Sequence, residues 1–122
     1  MKESNSLANI TISDSANEIC DLLIADGLVS DAIEAYRLAL CLAIALDLPV
    51  DRSVRMTKNK WDTGAVFRAR GKDIESVLRL FDRGGDDPVL EGKFLAEAGL
   101  RYLKSKRDEN ADLLGVLINI TP

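Results

Sequence analysis

The residues best placed to do chemistry lie in one tract. Between Arg52 and Lys72 the chain carries Arg52, Arg55, Lys58, Lys60, Arg68, Arg70 and Lys72, opposed only by Asp62. Several cations held along one path suit a nucleic acid, because binding releases the counterions condensed on its phosphates. Trp61 sits inside the tract. Its ring could stack on an unpaired base or anchor a core, and its neighbours in sequence leave both readings open.

Other chemistries find fewer footholds. The chain has no histidine, which removes the commonest general base, the usual partner of a Ser or Cys nucleophile, and the commonest zinc ligand. Cys20 and Cys41 stand singly among apolar residues, and two isolated thiols cannot close a tetrahedral zinc site. They are expected as buried thiols in a reducing compartment. No Walker loop or GxGxxG occurs. The carboxylate pairs Asp86-Asp87, Asp108-Glu109 and Asp73-x-Glu75 fall at helix starts, turns or polar runs, where capping and solvation account for them. The expectation is a non-enzymatic protein with no cofactor or metal of its own.

The net charge of −4 conceals an asymmetry: residues 1–50 hold two basic and eight acidic side chains, residues 51–83 nine basic and five acidic. With 122 residues, 47% of them apolar, the chain fits one domain, 9–122, preceded by a flexible tail, Met1 to Ala8. The longest apolar run, Leu38 to Leu46, is far short of the roughly 20 residues that span a bilayer. A cytoplasmic location is expected.

The elements that must position the tract begin with Asn9-Ile10-Thr11-Ile12-Ser13. Its alternation and β-branching predict a half-buried strand with Ile10 and Ile12 inward. Ser13 or Asp14 caps a helix carrying Ala16, Ile19, Cys20, Leu23 and Ile24 on one face, ending at Gly27. Ser30 is expected to cap a second helix, with Asp31 and Glu34 in its first turn, running to Leu46 before Pro49. Its later half is apolar on nearly every side and so must be enclosed, for which a partner subunit is the simplest wrapper. From Pro49 to Gly71, Asn59-Lys60 and Asp62-Thr63-Gly64 read as turns and Ala65-Val66-Phe67 as an extended piece. Helices are expected over Lys72 to Arg83 and from Pro88 to the polar run beginning at Lys104, and the apolar segment Ala111 to Ile120 could pack back on the body.

This order is mainly α, with a ribbon-helix-helix core of one short strand plus two helices followed by two to three C-terminal helices. In such a core, strands from two chains pair into a ribbon that enters the major groove. Asn9, Thr11 and Ser13 would then face the bases, or merely form the solvent face of a strand. Asp31 and Glu34 crowd the second helix N-terminus, which in this fold often holds a phosphate.

The strand-helix-helix start, with Tyr36-Arg37-Leu38-Ala39-Leu40-Cys41-Leu42-Ala43, resembles the DndE family, the small subunit of the bacterial DNA phosphorothioation (sulfur modification) system. Phe67-Arg68 with Gly71-Lys72-Asp73, and Leu90-Glu91-Gly92-Lys93-Phe94-Leu95-Ala96 with Gly99, are similar to its later phrases. The resemblance spans Asn9 to Leu103. It implies a helical, tetrameric, cofactor-free protein that binds DNA alongside other subunits of a DNA-modification or defence complex. Two other expectations stand beside it: an antitoxin-like repressor reading bases through Asn9 and Thr11, and an assembly scaffold that makes no DNA contact.

Overall fold

The computed structural model describes residues 9–62 and 88–109. The expected tail, the extended piece at 65–67, the helix over 72–83 and the segment 111–120 lie outside these, as do Arg68, Arg70 and Lys72. The described part is mainly helical: strand β1 (Asn9–Ile12), helices α1 (Asp14–Ala25) and α2 (Ala32–Ala45), strand β2 (Lys58–Asp62) and helix α3 (Pro88–Asp108).

Local chemistry sets the helix ends. The Ser13 hydroxyl accepts from the Ala16 N–H at 2.9 Å and so caps α1, using a donor that helix geometry leaves orphaned. At the other end, Gly27 takes φ 79°, while its N–H donates to Ile24 O and the Leu28 N–H to Leu23 O. This double bond pattern closes the helix in a Schellman turn. The cap of α2 is Asp31 rather than Ser30: its Oδ1 accepts from the Glu34 N–H at 2.8 Å, and Glu34 Oε1 reaches back to the Ser30 N–H at 2.6 Å. The reciprocal acid-acid arrangement moves the helix start one residue on, because the carboxylate at 31 can reach the third N–H of the helix. The same Schellman pattern ends α2 without a glycine, since Asp47 adopts φ 52° and the Leu48 N–H reaches Ala43 O.

Packing departs from the expected ribbon. β1 pairs antiparallel with β2 of its own chain, Asn9 opposite Asp62 and Ile12 opposite Lys58. The segment read as the turn Asn59-Lys60 is therefore a strand, because Trp61 gains a core contact that outweighs the weak strand preference of its polar neighbours. One side of the apolar second helix is buried within the chain, while Cys41 and Ala45 on it are exposed. Ala35, Tyr36, Ala39, Leu40 and Ala43 are fully buried, with α3 lying along them in the most extensive contact between elements. A second chain is thus not required to close this core.

Gly99 sets the closeness of that contact. A methyl group there would overlap the Ala39 carbonyl and Cα, so the α2 and α3 backbones touch at this point. Leu95, Ala96, Leu100 and Leu103 complete the core with Ile10, Ile12, Ile19, Cys20 and Leu23. The helix α3 also runs on through Lys104, Ser105, Lys106, Arg107 and Asp108, past the expected end. Lys104–Asp108 at 2.6 Å joins residues one turn apart, and Arg107–Asp26 at 2.6 Å ties this end to the end of α1. No described helix is long and apolar enough to cross a membrane.

Candidate nucleic-acid interface

Of the tract's four described cations, all exposed, Arg55, Lys58 and Lys60 stand around a two-stranded ribbon. The inner side of β1 and β2 is mostly apolar: Ile10 and Ile12 are fully buried, Trp61, opposite Ile10, packs against the core, and the exposed Lys58 pairs with Ile12 at its end. On the outer side Thr11 pairs directly with Asn59, and the register slips between Ile10 and Thr11 so that Lys60 is the additional residue on β2. Such a bulge leaves one residue out of the ladder and re-aims its side chain. Lys58, Asn59 and Lys60 are all exposed, as is Arg55 in the approach to β2, while Thr11 is half-buried.

A short loop holds the start of the tract in place. Asp51 Oδ1 accepts from the Ser53 N–H at 2.9 Å and from the Ser53 hydroxyl at 2.5 Å, and these bonds hold its carboxyl below the usual carboxylate range. Arg52 then turns back to α3, donating to both Glu91 carboxylate oxygens at 2.7 and 2.9 Å, and lies 5.5 Å from the centre of the Phe94 ring. Both bonds come from one terminal nitrogen and are charge-assisted, so its placement serves the loop. Lys104, Lys106 and Arg107 of α3 are ion-paired. By contrast Arg55, Lys58 and Lys60 have no ion pair among the described residues.

Trp61 is engaged inward. Its ring meets that of Tyr36 edge to face, centroids 5.2 Å apart at 63°, with the Lys60 ammonium 6.0 Å from the ring centre. The packing reading of this tryptophan therefore describes its position. Asn9 lies opposite Asp62 at the ribbon's end. Ser13, expected to face outward, is buried as the α1 cap: its N–H and hydroxyl donate to Glu97 Oε2 and Oε1 at 2.9 and 2.7 Å.

Glu97 is the polar residue that sequence reasoning missed. It is buried, with Lys93 buried one turn earlier, on a helix whose pattern reads as amphipathic. Only the fold brings it 84 positions back to Ser13. It pins the strand-to-helix corner, and so the ribbon, onto α3. The fully buried Tyr36 hydroxyl has no hydrogen-bond partner; burial, and next the negative Glu97, push its phenol far up. Cys20 is also buried, its thiol pushed up to about 11 by burial against the pull of Lys60. Cys41, expected to be buried, is exposed, because its side of α2 is turned away from α3. Among the described residues no group of three Cys, Asp or Glu side chains gathers as a metal site.

No protein-family model, curated protein or solved structure matches this chain.

Proposed function

We propose that the protein is a non-enzymatic DNA-binding accessory subunit, gripping phosphates with Lys58, Lys60 and Arg55 around its ribbon. The observation that carries this reading is the exposure of Arg55, Lys58 and Lys60 on and beside β2 with no ion pair among the described residues, where Arg52, Lys104, Lys106 and Arg107 are ion-paired. Arg68, Arg70 and Lys72 follow in sequence and would extend the same grip. Three cations give a modest field. Assembly into a homo-oligomer, dimer or tetramer, would multiply it.

The resemblance of Tyr36 to Ala43 and of Leu90 to Gly99 to the DndE family supports service in a DNA sulfur-modification or other defence complex, with further protein subunits as partners. The test is fluorescence anisotropy on labelled DNA at low salt. Lys58→Glu with Lys60→Glu should weaken binding by tenfold or more, and each lost phosphate contact should reduce the salt slope by about 0.9. Unchanged affinity and slope would remove this reading.

A further inference from the structure

We infer that the outward side of α3 is a docking surface for an amphipathic helix of a partner protein, one that brings an Asp or Glu set among apolar residues to Arg101. None of the residues lining this surface belongs to the ribbon. The inference therefore stands whether or not the chain grips DNA, and it gives the expected protein partners a definite chemistry.

The first observation is a ridge with a valley on each side. Arg101 and Ser105, one turn apart on α3, stand in the walls of two open cavities. One valley, of about 540 Å³, runs between this ridge and Ser15 and Ile19 of α1. The other, of about 430 Å³, has Leu48, Pro49 and Val50 as its far wall, with Ala98 and Tyr102 on the α3 side. From Ala98 to Asp108 the valleys follow about 15 Å of helix, which is room for about ten residues of a second one. Helices pack by seating the ridges of one in the grooves of the other, and an amphipathic helix lays its apolar stripe into such a surface. A small molecule is mostly engulfed by its site, whereas these valleys are open along their length.

The second observation is the charge on the ridge. Arg101 is half-buried, yet it makes no ion pair among the described residues. Its guanidinium carries five donors that need partners wherever water is excluded. The acids around it are already committed: Asp108 accepts from Lys104 at 2.6 Å, Glu109 lies 3.7 Å from the Lys106 ammonium, and Asp51 accepts from Ser53. A carboxylate arriving on a partner helix would find one unopposed cation in the middle of the surface. Arginine takes carboxylates in a planar, two-pronged bond, and a central arginine stripped of water on docking often dominates an interface. Leu48, Val50 and Tyr102, each half-buried, offer apolar contact beside it. The partner's acid should accordingly have apolar neighbours three or four positions away, on the same helix face.

The test uses the full chain and a displayed library of helical peptides about 15 residues long. Selected peptides, labelled and titrated by anisotropy, should share an Asp or Glu with that apolar spacing. Arg101→Glu should weaken them about tenfold or more, and a peptide with Lys in place of its acid should recover binding to Arg101→Glu. Ser105→Tyr, a surface change that adds bulk to the ridge, should weaken them too, with thermal midpoints close to the parent's showing both variants folded. Lys58→Glu with Lys60→Glu should leave peptide binding unchanged, so the DNA reading is judged separately by those ribbon variants. Selection without such a consensus, or affinity unmoved by Arg101→Glu, would overturn the inference. Displacement of the peptide by an equal concentration of decanoate would overturn it by assigning the surface to a small carboxylate, and a light-scattering dimer that Arg101→Glu dissolves would do so by assigning it to a second copy.

Discussion

At the scale of single residues, the buried polar groups decide more than the exposed ones. An unsatisfied hydroxyl in a protein interior costs about 1–3 kcal/mol, and Tyr36 carries one. Tyr36→Phe keeps the ring against Trp61 and removes only that oxygen, so urea denaturation should show a gain of about 1 kcal/mol. Cys20 behaves differently because its group is a neutral proton carrier. Its ordinary value of 9.0 rises to about 11 in the folded chain, so the fold holds the thiol proton more tightly than the unfolded chain does. That contribution is intact below pH 9.0 and is lost as pH climbs through about 11. Stability should fall by about 2–3 kcal/mol across this window, and the slope should flatten in Cys20→Ala. The Tyr36 phenol is shifted the same way and steepens the loss above its ordinary 10.0. Native Cys20 should also resist thiol reagents at pH 8 that modify the exposed Cys41.

Among the elements, the crossing of α2 and α3 tolerates least. Alanine ordinarily favours a helix over glycine by about 1 kcal/mol. At position 99 that gain is overridden, because the added methyl meets the backbone of Ala39 rather than a side chain that could swing away. Gly99→Ala should therefore destabilise by about 2 kcal/mol or more, measured as a lowered thermal midpoint with unchanged helical content at low temperature. Gly27 is the contrasting case, since nothing lies within 4 Å of its would-be methyl group and only its positive φ resists substitution. The ribbon depends on the same helix: Glu97 holds the corner after β1, and Glu91 holds Arg52 in the loop before β2.

For the whole molecule, the closure of the core within one chain alters what assembly means. Tyr36, Leu40, Leu95 and Leu100 are fully buried without a second copy. If an oligomer forms, it joins protomers that are already folded. Dilution should thus lower the mass measured by light scattering while the emission of Trp61, packed on Tyr36, stays native. A protein whose subunits fold only on association would lose both together.

The helical spacing, the glycine stop at Gly27, the inward isoleucines of β1 and the start of the last helix were all readable from the chain, because each depends on residues within about one turn of one another. So was the cationic tract as a list of charges. Its working surface was not. Whether Arg52 faces a phosphate or Glu91, whether Trp61 stacks on a base or on Tyr36, and whether β1 pairs with a partner or with β2 all depend on residues 25 to 53 positions apart. Local propensity carries no information about such contacts. A four-residue strand presents the same open edge to any partner, and only the packing of α3 against α2, with Glu97 drawn to Ser13, places Lys58 to Trp61 beside it.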